Sequence, residues 1–210
     1  VVDNLSRKGT DLNLAWLKEQ GGFDFIQADI RDAGAMREAI GRDRDLDAVL
    51  HLAAQVAVTT SVTDPRSAFD INALGTFNVL EAVRQASSDP IVVYASTNKV
   101  YGGMEDVAVV ERNGRYAYED LPGGVPESRT LDFHSPYGCS KGAADQYVRD
   151  YARIYGLTTT VFRQSCIYGY RQLGVEDQGW VAWFTIAAVL GKPIVLYGDG
   201  KQVRDLLFID

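Results

Sequence analysis

The sequence predicts an α/β fold, in which a doubly wound, parallel sheet is covered by helices. Short apolar runs of strand length alternate along the chain with longer helical patterns, as in parallel strands joined by helices. Ile91–Ser96, which is rich in β-branched residues, is a clear example of such a strand. Several of the runs end in a polar residue, and sheets of this kind bind ligands at the carboxyl ends of their strands. The fold class therefore predicts where a functional site should lie.

The individual elements follow from the spacing of the apolar residues. Strands are predicted at Val1–Val2, Phe23–Ile30, Ala48–Ala54, Ile91–Ser96, Thr158–Phe162 and Ile194–Tyr197. Helices are predicted at Leu12–Glu19, Ala33–Ile40, Asp64–Ala86, Tyr137–Tyr155 and Trp180–Leu190. The stretch from Gly103 to His134 has no clear periodicity, and we predict a long loop that is either a functional cover or disordered.

Composition narrows the class of protein. The 210 residues are 46% hydrophobic and 23% charged, which is ordinary for a soluble globular protein. A net charge of −7 without a basic stripe argues against nucleic acid or anionic membranes as partners. Cys139 and Cys166 form neither a metal-binding pattern nor a disulfide framework, and no apolar run reaches transmembrane length. We therefore expect a cytoplasmic protein without a metal site.

The stretch Ser135–Lys141 is the strongest sign of chemistry. Ser135 followed by proline suits a helix start, and the helix places Tyr137 and Lys141, four residues apart, on one face. A phenol has a pKa near ~10, and lowering it to about 7 requires ~4 kcal/mol, which an ammonium about 4 Å away supplies at an effective dielectric constant near 20. The spacing therefore predicts a tyrosine that accepts a proton at neutral pH. In a chain with 11 tyrosines, a Tyr-x-x-x-Lys spacing can arise by chance, so the spacing alone is weak evidence for a catalytic tyrosine. The helix start and the upstream neighbours strengthen that evidence.

Polar residues stand at five predicted strand ends, namely Asp3, Asp29, Gln55, Thr97 and Arg163. An acid in the position of Asp3 can hold the hydroxyls of an adenosine ribose, and it repels a 2′-phosphate, which favours NAD over NADP. A simple turn or helix-capping role for Asp3 stays open. A hydroxyl within Ser96–Gly102 can bond a substrate oxygen as the tyrosine removes its proton. Without the Tyr-Lys helix, that segment would be interpreted as an ordinary turn.

A glycine-rich turn, the usual sign of a dinucleotide site, is absent from the sequence. Such a turn would lie before a strand like Val1–Val2, so we expect the first strand and this turn to precede residue 1. We also expect most of a smaller C-terminal substrate domain to follow residue 210. The 210-residue chain alone is expected to bind the cofactor poorly.

Together these motifs resemble the extended short-chain dehydrogenase/reductases, which remodel nucleotide sugars with a bound nicotinamide cofactor. The resemblance covers essentially the whole chain, and the residues behind it are Asp3, Leu52–Gln55, Ser96–Thr97, Val100–Gly102, Tyr137-x-x-x-Lys141 and Gly198-x-Gly200-x-Gln202-x-Arg204-Asp205. It implies a Rossmann-like domain that binds NAD at residues 1–170 and the start of a substrate-binding region at residues 171–210. We also expect a homo-oligomer.

The resemblance also implies a role for each matched residue. The implied catalytic group is Thr97, Tyr137 and Lys141. The implied cofactor contacts are Asp3, Asn4, Asp29, Ile30, Leu52, Ala53, Ala54, Gln55, Tyr137 and Lys141. The implied substrate contacts are Thr97, Asn98, Ser165 and Arg204, with the Arg204 guanidinium on the phosphates of the nucleotide. A solvated surface arginine is the alternative for Arg204.

Chemistry narrows the reaction within the family. Sugar 4,6-dehydratases carry an Asp-Glu pair directly after the threonine, because elimination needs an acid and a base. Asn98 and Lys99 occupy these places, which disfavours dehydration. Four longer stretches are similar to epimerases that invert C2 of a CDP-linked sugar, namely Asp3–Gly9, Ser96–Gly102, Leu131–Tyr147 and Asp177–Val181. The alternatives are another nucleotide-sugar epimerase or oxidoreductase, such as a UDP-hexose 4-epimerase, and a non-catalytic NAD-binding regulator.

One position departs from the family pattern. Cys166 stands where many 4-epimerases have an asparagine before Val-Tyr-Gly, which leaves the substrate contacts of this segment open. Trp180 is equally suited to stacking on a base or sugar and to core packing.

Overall fold

The computed structural model describes residues 1–209, which form two compact units. The first unit comprises residues 1–97 and 135–163, and the second comprises residues 98–134 and 164–209. The predicted division into residues 1–170 and 171–210 stays a prediction about the protein's domains.

Parallel pairing dominates the strands, as the sequence predicted. The strands are β1 (Val2–Asp3), β2 (Ile26–Gln27), β3 (Ala48–His51), β4 (Ile91–Ala95), β5 (Val109–Arg112), β6 (Arg115–Tyr118), β7 (Thr159–Phe162), β8 (Cys166–Tyr168) and β9 (Leu206–Phe208). In the first unit, β1 pairs in parallel with β2, and β4 lies between β3 and β7 in a parallel three-stranded sheet. In the second unit, β5 and β6 form an antiparallel hairpin, and β8 pairs in parallel with β9.

Helices alternate with the strands of the first unit. The α-helices within residues 1–209 are α1 (Thr10–Gln20), α2 (Ala33–Gly41), α3 (Val58–Thr63), α4 (Pro65–Phe69), α5 (Gly75–Gln85), α6 (Ser135–Tyr155) and α7 (Trp180–Val189). A π-helical turn at Asp70–Leu74 joins α4 to α5, so the long helix predicted from Asp64 is confirmed but contains one widened turn. Asp64 caps it, since its carboxylate accepts a hydrogen bond from the Ser67 N–H at 3.0 Å.

The core of the first unit is built from α2, α5, α6 and β4. Its buried members are Met36, Ile40, Val79, Leu80, Ala82, Val83, Val92, Tyr94, Ala144, Val148 and Tyr151. Each fully buried Leu or Val side chain contributes ~1.5–3 kcal/mol relative to an exposed one. This cluster therefore holds α6 against β4, the two elements that carry Tyr137 and the strand end before Thr97.

One strand prediction is wrong, and another strand is shorter than predicted. Ile194–Tyr197 is not a strand, and its side chains are 42–71% exposed, because an apolar run without a hydrogen-bonding partner does not become a strand. The strand that does form in this region is β9, which pairs with β8. The strand predicted at Phe23–Ile30 shrinks to the two residues of β2, since pairing with β1 covers only that length.

Two other segments are more regular than predicted. Residues 109–118 form the β5–β6 hairpin within the expected loop, turned by Asn113 and Gly114 with φ values of 55° and 73°. An Asn-Gly pair is the strongest sequence signal for such a turn, and this pair marks a two-residue hairpin loop. Helix α3 was not predicted, because Val and Thr fill most of it and β-branched residues are weak helix formers.

Candidate active site

The start of α6 is capped from two directions. Ser135 has a φ of 66°, and its Oγ accepts a hydrogen bond from the Gly138 N–H at 3.2 Å, so the predicted cap is confirmed. The Tyr137 N–H donates to the Oγ of Ser61, on α3, at 3.1 Å. Ser61 is fully buried, and sequence reasoning missed it because α3 was not predicted. These bonds fix the backbone of α6 at Tyr137.

Tyr137 and Thr97 lie together beside the end of β4. They are 8% and 6% exposed, and their side chains are hydrogen-bonded to each other. Burial raises the pKa of Tyr137 above its ordinary value of 10.0, and the bond from Thr97 opposes part of this rise. The two hydroxyls are thus hydrogen-bonded to each other in a buried position, where burial favours the protonated phenol.

Lys141 is buried one turn beyond Tyr137. Its Nζ donates a hydrogen bond to the backbone carbonyl of Ala95 and lies 4.3 Å from the centroid of the Tyr94 ring. Burial lowers the pKa of Lys141 to about 7, while the Asp145 carboxylate opposes that shift. The ammonium interacts with β4, and burial is the largest influence on the pKa of the Tyr137 phenol. The expectation that Lys141 alone brings the pKa of Tyr137 near 7 is therefore wrong for this structure.

Three of the predicted cofactor contacts meet at the ends of β1 and β2. Asn4 Nδ2 donates to Asp29 Oδ2 at 2.8 Å. Asp3 Oδ1 accepts from the Leu5 N–H at 2.6 Å, which is the turn role that the sequence left open. Two hydrogen bonds from the Arg31 guanidinium hold the pKa of Asp29 far below its ordinary value. Acid and amide groups thus converge where adjacent parallel strands end.

The other predicted cofactor contacts follow β2 and β3. Ile30 packs closely on α5, since a Cβ at Gly75 would lie 2.6 Å from the Ile30 Cδ1. Leu52 and Ala53 are exposed directly after β3, and Ala54 is half-buried. The first two residues after β3 are therefore accessible to solvent.

Asn72, in the π-helical turn, was missed by sequence reasoning. Its side chain accepts from the Gln55 N–H at 2.8 Å and donates to the Gln55 carbonyl at 3.0 Å. The same amide donates to Ser140 Oγ at 3.1 Å, and Ser140 in turn donates to the Tyr137 carbonyl at 3.0 Å. Asn72 therefore connects the loop after β3 to the helix of the Tyr-Lys pair. Nothing in the local sequence reveals this role, because its partners are 17 and 68 residues away.

The other predicted substrate contacts belong to the second unit. Asn98 Nδ2 lies 3.5 Å from Ser165 Oγ, so the structure brings these two residues together. Arg204 is exposed, and its Nη1 donates to the Val203 carbonyl at 2.9 Å. Burial, and then the charge of Arg204, lower the pKa of Lys99. Lys99 and Arg204 form a positive region of the second unit that suits an anionic group.

Cys166 has a definite partner within the second unit. The Trp180 Nε1–H donates to its Sγ at 3.2 Å, and the Trp180 ring lies 5.5 Å from that of Phe184. Trp180 is therefore held by its neighbours in the second unit, although it remains 38% exposed.

His51 makes the stability of the fold depend on pH. It is 4% exposed, and its Nε2 lies 2.9 Å from Thr76 Oγ1. Burial, and then the charge of Lys141, lower its pKa from 6.5 to about 3. The unfolded chain therefore binds this proton more tightly, and stability is lost as pH falls below 6.5. We expect the free energy of unfolding to fall by about 2 kcal/mol from this residue between pH 7 and pH 5.

Urea unfolding of the wild type and of His51→Gln at both pH values measures this contribution. The variant should lose about 2 kcal/mol less than the wild type over this range. Equal losses in the two proteins would contradict the prediction.

Residues 1–209 contain neither a cluster of metal ligands nor a helix that could span a membrane. Within that range, no three side chains of His, Cys, Asp or Glu come together as metal ligands, and Cys139 and Cys166 are free thiols. None of the helices in the described part of the chain combines the length and apolar character that a membrane span requires.

A parallel α/β unit with a hydrogen-bonded Thr–Tyr pair and a buried lysine at a strand end is the arrangement that we expect in a short-chain dehydrogenase/reductase. The chain belongs to the NAD dependent epimerase/dehydratase family, whose model matches residues 1–210. The predicted α/β fold class and the predicted family are thereby confirmed.

The chain is similar to family members that are named for different reactions. The chain is 53% identical over 212 residues to CDP-paratose 2-epimerase of Salmonella typhi, across 99% of this chain and 62% of that protein. It is 33% identical over 217 residues to dTDP-glucose 4,6-dehydratase 1 of Escherichia coli (strain K12), across 100% of this chain and 57% of that protein. The solved structure of UDP-glucose 4-epimerase from Thermus thermophilus in complex with NAD matches with a TM-score of 0.76 and 32% identity, across 99% of this chain and 61% of that chain. This chain thus spans 57–62% of the length of these relatives.

Proposed function

We propose that the protein containing this chain is an NAD-dependent nucleotide-sugar epimerase that interconverts CDP-paratose and CDP-tyvelose at C2. The observation that supports it most is the buried hydrogen bond between Thr97 and Tyr137, with Lys141 one turn along the same helix. The similarity to the CDP-paratose 2-epimerase of Salmonella typhi favours C2 and a CDP-linked sugar.

The residues present fit NAD at two places. The carboxylates and amide of Asp3, Asn4 and Asp29 can bond the hydroxyls of an adenosine ribose and the edge of an adenine. The Lys141 ammonium can bond the hydroxyls of the ribose next to the nicotinamide. When bound, NAD supplies the hydride acceptor and a positive ring charge. Such a charge would offset the burial that keeps the Tyr137 phenol protonated.

Each residue of the catalytic group then has one task. With NAD bound as the hydride acceptor, Tyr137 would accept the proton of the C2 hydroxyl, and Thr97 would hold the same oxygen by a hydrogen bond. The Lys141 ammonium stabilises the phenolate. With NAD supplying the hydride chemistry, the 2-keto sugar would have to turn before C2 regains its hydrogen on the opposite face, and Tyr137 would give the proton back to the same oxygen. The burial of Tyr137 and Thr97 keeps bulk water away from this proton transfer.

Elimination is disfavoured by the residues after Thr97. An amide at Asn98 does not titrate, so the acid–base pair needed to remove a hydroxyl and a carbon-bound proton is incomplete. We assign the substrate's phosphates to Arg204, with Lys99 adding positive charge.

Two other functions remain as alternatives. A 4-epimerase would use the same catalytic group, and the likeness to a UDP-glucose 4-epimerase favours it as the second choice. A non-catalytic NAD-binding regulator would have no use for the buried Thr97–Tyr137 pair. The CDP preference, the homo-oligomer and the cytoplasmic location stay predictions.

The test is an incubation of full-length protein containing this chain with CDP-paratose deuterated at C2. We expect CDP-tyvelose without added NAD, with deuterium retained at C2 and no NADH released, because the same hydride returns to the same carbon. Product is followed by NMR and NADH by absorbance. UDP-glucose serves as the control substrate.

Loss of deuterium to solvent would contradict hydride return, and accumulation of NADH would indicate a net oxidoreductase. Turnover of UDP-glucose at C4 without turnover of CDP-paratose would favour the 4-epimerase.

A further inference from the structure

Asp145 is a buried carboxylate on α6, one turn beyond Lys141, and it is 0% exposed. Its Oδ2 accepts hydrogen bonds from Ser96 Oγ at 2.8 Å and from Arg163 Nε at 2.9 Å. Its Oδ1 accepts from Arg163 Nη2 at 3.0 Å and from Gln146 Nε2 at 2.8 Å. The carboxylate is therefore held from both sides inside the first unit.

Its partners come from the ends of two neighbouring strands. Ser96 follows β4 and Arg163 follows β7, and the last residues of these strands are register partners. Asp145 thus ties both strand ends to α6. Because Ser96 immediately precedes Thr97, this bond fixes the backbone from which the Thr97 hydroxyl reaches Tyr137.

Packing alone does not explain a charge in this position. Desolvation offsets much of the attraction in a buried ion pair, and apolar side chains of similar volume are often equally stabilising or better. Ala144 and Val148, close by on α6, are apolar and 0% exposed. A carboxylate at position 145 therefore indicates a role beyond stability.

The surroundings of Lys141 suggest that role. The Lys141 ammonium bonds the Ala95 carbonyl and lies over the Tyr94 ring of β4, and its charge acts on the neutral His51 of β3. Asp145 brings a negative charge, which opposes the loss of the Lys141 proton that burial favours.

We propose that Asp145 is a positioning residue for the epimerisation, which holds Thr97 against Tyr137 through Ser96 and keeps Lys141 in its ammonium form. This inference rests on the proposed function, and Asp145 touches neither substrate nor cofactor in it. Arg163, which bonds both carboxylate oxygens, helps to keep Asp145 in place.

The test compares Asp145→Asn with wild type in full-length protein containing this chain. The substitution keeps the size of the side chain and removes its charge. We expect kcat for CDP-paratose to fall by about 10- to 100-fold, with KM changed less than about threefold. The alkaline fall of kcat, which follows loss of the Lys141 proton, should move by about one unit to lower pH.

Two further variants separate the parts of this role. Ser96→Ala removes only the bond before Thr97, so kcat should fall by about tenfold with the alkaline limb unchanged. Glu81→Gln is the matched control, because Glu81 is another carboxylate with an arginine partner, Arg84, and a bond to α6 through Tyr151. It should leave both kcat and the pH profile near those of the wild type.

Titration of the Lys141 amine by NMR, on 15N-lysine-labelled protein, keeps the inference separate from the proposed function. If the wild type turns over no CDP-sugar, the proposed function fails, while a lower Lys141 pKa in Asp145→Asn still supports the inference. An unchanged Lys141 pKa in Asp145→Asn, or full kcat in Ser96→Ala, overturns it. If Asp145→Asn does not fold, the result with Ser96→Ala decides.

Discussion

Tyr137→Phe in the full-length protein is expected to lower turnover by at least about 100-fold, the scale of a lost proton-transfer group. The substitution keeps the buried ring and removes only the hydroxyl that bonds Thr97. The fold should survive, since one hydrogen bond is worth about 1 kcal/mol. Turnover of CDP-paratose and the NAD content of the purified protein are the measurements, and NAD binding should persist.

Tyr151→Phe is the matched control for this variant. Tyr151 is also buried on α6, at 5% exposed, and its hydroxyl donates to Glu81 at 2.8 Å, away from Thr97. This variant should retain near wild-type turnover. Near wild-type turnover in Tyr137→Phe, or an equal loss in Tyr151→Phe, would contradict the assignment of Tyr137 as the proton acceptor.

Lys141→Met is also expected to lower turnover by about 100-fold or more. A cation that comes within about 4 Å of a developing phenolate stabilises it by up to ~4 kcal/mol at an effective dielectric constant near 20, and Lys141 is the cation proposed for this role. Methionine has a similar length and no charge, so the loss should come from the missing cation. NAD should also bind more weakly if Lys141 bonds the ribose. The measurements are kcat and the NAD content of the purified protein.

Stability gives a second readout for Lys141 that does not depend on turnover. Its pKa is lowered from 10.5 to about 7, so between these values the unfolded chain binds more protons and the wild type gains stability as pH rises. From pH 7 to pH 9 this gain is about 2 kcal/mol, and Lys141→Met should lack it. Urea unfolding at the two pH values measures the difference. An identical pH dependence in both proteins would show that Lys141 is not buried as described.

Features that depend on near neighbours in the chain were predictable. The cap at Ser135, the helix that follows it and the four-residue spacing of Tyr137 and Lys141 are all local. The parallel strands β3, β4 and β7 follow from short runs of β-branched and apolar residues, which favour the extended conformation of a strand.

Features that depend on distant partners were not predictable. The apolar run at Ile194–Tyr197 has the composition of a strand, yet the segment that pairs with β8 is β9. A strand needs a partner, and partner choice is a property of the whole fold. The role of Asn72 could not be predicted from its own segment for the same reason, since its partners lie on the loop after β3 and on α6.

Residue order was enough to predict the fold class and to select Thr97, Tyr137 and Lys141 as the candidate catalytic group. Their protonation depends instead on the folded arrangement, because a pKa responds to burial and to charges that are near in space. Burial raises the pKa of Tyr137 and lowers that of Lys141, which reverses the expectation from spacing alone. Folding likewise places Asp145 between Ser96 and Arg163, 49 and 18 residues away in the chain, where its charge acts on Lys141.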